Sequence, residues 1–331
     1  MPNPDFDTIA STTLKNYRGV LADNLTSHQV LLQQLKEKGF IREDEGGTSI
    51  VETLLYGQNS TVKSYAGYDL LDVTPQTGIT AAEFLWKHIA GSVVISGQEE
   101  FENKGKSRII NLLEAKMTQL DISIRQVVNA MIFGDGTGNG GKDITGLDLA
   151  VEDGAAWSTY GGIDSSLAAN AFWRNQYINF TGAGNTSFGT ASGASVEGMN
   201  VMRNLYNSCS RGKTKPTLIL TTQLLFEAYE KHGEGSKLET MSTKLLEMGF
   251  QNLLFKGTPI VWDEDVPSQV MVMLNSDFLK FVVGKGRNFI TTPFVRPKDQ
   301  EAKVAQVLLY ANITLANRAR QGRISNFVDT P

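Results

Sequence analysis

The chain has 331 residues, 41% hydrophobic and 20% charged, a composition that buries a core and excludes a wholly disordered protein. Its 31 Lys and Arg against 35 Asp and Glu leave a net charge of −4, which excludes a strongly basic protein whose main task is gripping nucleic acid. No apolar run reaches the roughly 20 residues that cross a bilayer, and with Cys209 alone no intrachain disulfide forms. The first residues carry no basic and apolar leader pattern, so the expectation is a chain made in the cytosol. Only 3 histidines weaken any enzyme or metal reading.

Residues 1–13 are small and polar and read as an arm. Leu14, Tyr17, Leu21, Leu25, His28, Leu32 and Leu35 then recur at steps of three and four, the apolar stripe of a helix that stops at Gly39. Residues 41–80 change character. Gly46, Gly47, Gly57, Gly67, Pro75 and Gly78 punctuate short strand-like runs at 49–51, 61–63 and 65–68, a turn-rich β-ribbon. Such a ribbon buries little by itself and must lean on its own domain or on another subunit.

A strand is expected at 92–96, followed by the strongest local signal. Ile109, Leu113, Met117, Leu120, Ile124, Val127 and Met131 form one stripe, and Asn111, Glu114, Thr118, Asp121, Arg125 and Asn129 another. The spacing predicts one helix over 103–133, about 45 Å long at about 1.5 Å per residue. Glycines from Gly134 to Gly141 end it. Residues 142–194 are loop-rich, with Trp157, Phe172, Trp173 and Tyr177 as anchors. Strands are predicted at 216–220, 257–262 and 270–274. A long final strand turns Ala305, Val307, Leu309, Ala311, Ile313 and Leu315 to one face and Gln306, Tyr310, Asn312 and Thr314 to the other. The fold class is α+β.

Chemical motifs are weak. Gly136 to Lys142 spells G-x-x-x-x-G-K, but Asp143 stands where a nucleotide loop needs Ser or Thr, and the loop follows a helix instead of opening one. Asp135, Thr137, Asn139 and Gly140 mimic half a calcium loop that ends on Gly146 where a Glu is required. Cys209 has no base beside it in sequence. Asp263, Glu264 and Asp265 form an acidic trio, readable as the centre of a metal-dependent enzyme or as a solvated turn before Pro267. Arg318, Arg320 and Arg323 cluster near the C-terminus, as a nucleic-acid contact or as a subunit-contact or solvent-facing patch. No cofactor is implied.

The order of elements, with several quoted segments, resembles the major capsid proteins of tailed bacteriophages that share the Hong Kong 97 fold. The segments are 97–105 (GQEEFENKG), Phe133-Gly134-Asp135-Gly136-Thr137-Gly138, Ile144-Thr145-Gly146-Leu147, Gly161-Gly162-Ile163-Asp164, Phe172-Trp173-Arg174-Asn175-Gln176 and Lys256-Gly257-Thr258-Pro259-Ile260. The resemblance implies an N-terminal arm over 1–40 and an extended β-loop over 41–95. It implies a spine helix within 96–144, an axial domain over 145–285 and a return to the peripheral domain over 286–331. It implies a structural protein, not an enzyme, that assembles as hexamers and pentamers into a shell around double-stranded DNA. The partners implied are copies of itself, a separate scaffolding protein, a portal and a decoration protein, with weak contact to packaged DNA and no membrane. The place implied is the virion capsid, assembled in the host cytoplasm. A nanocompartment shell of the same fold, enclosing a cargo enzyme, is the alternative. Gly57, Gly67, Pro75, Gly78, Leu120, Ile124, Gly134, Gly136, Gly146 and Trp173 are the expected structural and assembly positions.

Overall fold

The computed structural model describes residues 30–102, 106–180, 198–234 and 253–327. His28, most of the predicted arm helix, and His232's side chain lie outside the described set. Helix α1 (Val30–Glu37) buries Val30, Leu31, Leu32 and Leu35, of which Leu32 and Leu35 end the predicted stripe.

Two sheets organise the chain. The first contains β1 (Ile41–Asp44), β4 (Lys87–Ser96), β12 (Leu279–Gly284), β13 (Ile290–Thr291) and β14 (Ala302–Leu315). Its main ladder pairs β4 with β14 antiparallel, from Ser96 opposite Ala302 to Lys87 opposite Ala311. The six residues predicted to face inward from β14 are all buried. Asn312 and Thr314, predicted on the open face, are buried too, because another element covers that half of the strand.

The second sheet has the order β7 (Gln176–Asn179), β15 (Gly322–Ser325), β11 (Met271–Leu274), β8 (Leu218–Thr221), β10 (Thr258–Trp262) and β9 (Leu253–Phe255). Its face bearing Ile219, Ile260, Met271, Met273 and Ile324 packs under α5 (Gly198–Cys209) and α6 (Gln223–Glu234). The opposite face, with Leu218, Leu220, Val261, Val272 and Leu274, joins the core of the first sheet. Strand membership departs from the expected segment limits at two places. β12, inside 145–285, pairs with β14 of the first sheet, whereas β15, inside 286–331, inserts between β7 and β11 of the second. The chain crosses between sheets more often than a linear division of the sequence allows.

Helix α2 (Gly97–Glu102) precedes α3 (Lys106–Phe133), which runs 28 residues in one piece, about 42 Å at about 1.5 Å per residue. It packs on β4 with Met117, Ile124, Val128 and Ile132 buried, and Leu120 and Met131 half-buried. The expected inner face is therefore rotated at one end. Val127 is 46% exposed, while Asp121, placed on the polar stripe by the sequence, is 5% exposed and paired with Arg125 at 3.2 Å. At about 100° per residue Met117, Asp121, Ile124, Val128 and Ile132 fall within about 80° of one another, while Val127 lies about 60° to the far side of Ile124, so Val128 faces inward in its place.

Candidate assembly surface

The extended segment begins as a hairpin, β2 (Ser49–Leu55) with β3 (Ile79–Leu85), joined by residues 56–78. Period-two alternation gives the hairpin two faces. Ile50, Glu52 and Leu54 on β2, with Ala82 and Phe84 on β3, turn inward onto the body. Val51, Leu55, Ile79 and Leu85 turn outward, and they are as apolar as the inner set. Among the described residues only the inner of these faces is covered.

The root is tightly satisfied. Glu52, among buried aliphatic groups, accepts from Lys280 Nζ at 2.8 Å and Thr314 Oγ1 at 3.2 Å, with Arg42 Nη1 at 3.5 Å. Asn312 donates through Nδ2 to the Leu85 carbonyl at 2.8 Å and accepts from the Thr145 N–H at 3.1 Å. These bonds explain the two polar residues buried on β14, since buried polar groups are retained where partners meet them. Where the hairpin opens into the tip, Gly57 and Gly78 cross at close range. A Cβ on Gly57 would stand 2.8 Å from the Gly78 Cα, and both Tyr56 and Gly57 donate their N–H to the Gly78 carbonyl. Two glycines let the backbones meet there.

Beyond that clasp no strand forms in residues 57–78, so the strand-like runs at 61–63 and 65–68 are turns and irregular chain instead. Side chains compete with any ladder. Asn59 accepts from the Thr61 N–H at 2.9 Å, Asp69 from the Ala66 N–H at 2.7 Å and Asp72 from the Thr74 N–H at 3.0 Å. Bonds from the Thr74 hydroxyl and N–H hold the Asp72 carboxyl below the usual carboxylate range. Pro75 is exposed, and a Cβ on Gly67 would meet nothing within 4 Å. Val62, Leu70 and Val73 are 82%, 93% and 87% exposed, beside Tyr65, Tyr68 and Leu71. Apolar side chains left open in one run mark an interaction surface.

The end of α3 is built differently from the expectation. Gly134 has no left-handed backbone, and a Cβ on it would meet only ordinary contacts at 3.4 Å and beyond. The required glycines lie further on. Gly136 has φ +78, and a Cβ on Gly146 would stand 2.4–2.5 Å from the carbonyl oxygens of Met131, Ile132 and Gly134. The chain at Gly146 thus presses on the helix's terminal carbonyls, and Asp148 N–H caps that of Gly134 at 3.2 Å. The intervening glycine loop is closed on itself, with the Asp143 carboxylate against Gly138 and Lys87 donating to the Gly141 carbonyl.

Arg318 is fully buried, which corrects its placement on a subunit-contact or solvent-facing patch. It donates to the carbonyls of Ala150 at 2.8 Å and Leu149 at 3.1 Å and to Glu152 at 3.0 Å. Its guanidinium lies over Tyr160 at 5.0 Å and Trp173 at 6.0 Å. Trp173 in turn donates to the Tyr160 carbonyl at 2.9 Å. Glu152 also accepts from Ser158, and its backbone pairs with Asn175. Burial lowers the Arg318 pKa and raises that of Tyr160, whereas Glu152 holds the guanidinium charged. Arg323 reaches Asp148 and the Val151 carbonyl. Two of the three arginines are cross-braces between the C-terminal segment and 148–175; a spacing that looked like a patch concealed buried carbonyl partners.

The acidic trio forms a turn docked on α3. Asn129 donates its amide to both Asp263 and Asp265, while Glu264 is exposed. Burial pushes the Asp263 carboxyl up, opposed by hydrogen bonds from the Asp265 N–H and Asn129. A shared amide donor is a poor start for a metal centre, and among the described residues no cluster of three or more His, Cys, Asp or Glu is placed to hold an ion. Cys209 is buried, with its thiol pushed up to about 12.

No protein-family model matches the sequence, and no curated protein matches it significantly. Solved structures do match. A capsid protein of Cyanophage A-1(L) aligns over 87% of this chain and 90% of its own with TM-score 0.60 and 17% identity. The chain has the Hong Kong 97-like capsid fold. The capsid of a native GTA particle aligns over 87% of this chain and 88% of its own, with TM-score 0.55 and 12% identity. The SrpI encapsulin complex from Synechococcus elongatus aligns over 89% and 87%, with TM-score 0.52 and 11% identity. These neighbours are capsid and encapsulin structures.

Proposed function

We propose that this chain is the major capsid protein of a tailed bacteriophage, assembling as hexamers and pentamers into an icosahedral shell around double-stranded DNA. The observation that carries the reading is the contrast at the extended loop: a root with satisfied buried polar groups and a tip whose large apolar side chains face outward. A surface of that kind gains its burial from a neighbouring copy, and repeated contacts between two different patches close into rings and shells. The fold of the neighbouring structures supports it. In this reading the first sheet with α3 forms the peripheral domain and the second sheet with α5 and α6 the axial domain. A separate scaffolding protein, a portal and a decoration protein complete the particle in the host cytoplasm. The Gly57–Gly78 clasp sets the angle of the tip, and Leu120 and Ile124 seat the spine on β4.

The test is electron microscopy of the concentrated chain beside a variant in which residues 58–77 are replaced by a short polar linker. Closed particles from the full chain, and folded but unassembled protein from the variant, are expected. Shells formed normally by the variant overturn the role of the tip. Particles from infected cells that carry a protein cargo in place of nuclease-resistant DNA overturn the genome-enclosing role.

A further inference from the structure

Several described cations are neutralised within the chain. Lys280 meets Glu52, Lys116 meets Glu99, Lys303 meets Glu100 and Arg318 meets Glu152. Of the exposed cations without a described carboxylate beside them, three lie near one another. Arg203 on α5, Lys215 ahead of β8 and Lys256 in the turn from β9 to β10 are exposed, and none is ion-paired with a described residue. Two of them are held by amides instead. Lys256 Nζ donates to Asn207 Oδ1 at 2.9 Å and lies over the Tyr206 ring at 5.1 Å, while Arg203 donates to Asn200 Oδ1 at 2.8 Å. Desolvation lowers the Lys256 pKa first, and repulsion from Arg203 and Lys215 lowers it further, with no carboxylate offsetting them. A neutral partner positions a cation and leaves its full charge on offer.

The same domain carries the complement. On α6, Glu227 and Glu230 stand three residues apart on an exposed face, beside Leu224 at 46% exposure. Glu227 too is held by an amide, accepting from Gln223 Nε2 at 2.8 Å, and neither carboxylate is ion-paired with a described residue. Arg203, Glu227 and Glu230 lie on the helices that cover one side of the second sheet, and Lys215 and Lys256 in the loops that lead into its β8 and β10. We infer that the Arg203–Lys215–Lys256 surface of one copy docks on the Glu227–Glu230 face of α6 of a second copy, head to tail, around a symmetry axis. The inference rests on the shell reading and names the polar contact that closes its rings. Two unlike, opposite-sign patches on one subunit are what a heterologous contact needs, since a ring repeats the same pairing at every step. Nucleic-acid phosphate is the other anion that would fit the cations. It would leave the unpaired carboxylates of α6 unexplained, and the aromatic rings beneath Lys256 are buried and offer bases no platform.

The experiment is a charge exchange in the full chain. Lys215→Glu with Lys256→Glu, and separately Glu227→Lys with Glu230→Lys, are each expected to raise the protein concentration needed for assembly by about ten-fold or more, measured by sedimentation and electron microscopy. All four substitutions together are expected to recover most of that loss. The residues are exposed, so thermal melting of each variant should match the parent. Either reversed chain assembling like the parent, or four-fold reversal failing to recover assembly in folded protein, overturns the pairing. Lys215→Glu with Lys256→Glu losing affinity for a duplex DNA probe while assembling normally assigns the cations to a polyanion and likewise overturns it. A parent chain that never assembles defeats the shell reading and the pairing with it, an outcome distinct from failure of the exchange alone.

Discussion

The tip at 56–78 and the Arg318 brace are opposite solutions to the same problem. Around Arg318 a charge is buried completely, and Glu152, two carbonyls and two aromatic faces meet it. At the tip, side chains that water disfavours are left in water, while short Asx bonds hold the backbone without burying anything. The brace is complete within one chain; the tip, in the proposed shell, is half of an interface. Substitutions should therefore separate stability from assembly, the brace moving the first and the tip only the second.

The largest loss of stability is expected at the brace. Arg318→Met leaves the Glu152 carboxylate buried without its partner, and breaking one side of a buried pair costs about 3–5 kcal/mol. Chemical denaturation should show it as a lowered midpoint with an unchanged slope. Replacing Arg318 and Glu152 together by apolar residues should recover part of the loss, since the cost lies in the unpaired charge.

The end of the spine helix comes next. Gly146→Ala places a methyl group 2.4 Å from two carbonyl oxygens, and overpacking of that kind costs about 1–3 kcal/mol. Gly134→Ala meets ordinary contacts and should change stability by less than about 1 kcal/mol. Equal effects at the two glycines, by thermal melting, would show that the chain does not press on the helix end at Gly146.

How far the sequence could see is clear from these places. Periodicity made α3 and β14 legible because burial there follows a fixed repeat, and the order of segments made the capsid fold legible. Arg318, Glu52 and Asn312 were not, because their partners lie 168, 228 and 227 residues away in the chain. A polar residue destined for the core looks like any surface residue until the fold brings its partners. Trp173 was readable as an anchor, but not as the lid of an arginine. The role of Gly146 was hidden for the same reason: close approach leaves no local pattern, whereas Gly136 in its glycine-rich turn does.

A smaller, pH-dependent effect is expected at the Asp263 turn. Burial raises the folded-state carboxyl pKa above the ordinary 3.8, so the ionised form is the disfavoured one in the folded chain. The cost is full above the folded value, declines as pH falls through it, and is absent below the unfolded value. Asp263→Asn removes that cost, so it should stabilise the chain at neutral pH, with the gain shrinking on acidification and gone below about pH 4. Melting curves across that range check the sign. A variant that is destabilised at neutral pH would mean that the bond from Asn129 outweighs desolvation.

The smallest change in stability should come where the most apolar surface is exposed. Leu70 and Val73 touch almost nothing of their own chain, so Leu70→Ser with Val73→Ser should leave the unfolding free energy within about 0.5 kcal/mol of the parent. Their burial in a particle is worth about 1.5–3 kcal/mol for each side chain, multiplied over every copy, so the same two substitutions should abolish closed shells at concentrations where the parent forms them. Sedimentation beside thermal melting reads both quantities on one sample. Lost stability would mean that the tip packs on its own subunit, and unchanged shells would mean that its apolar face meets no neighbour. Only unchanged melting with lost assembly fits a surface built to be covered by another copy.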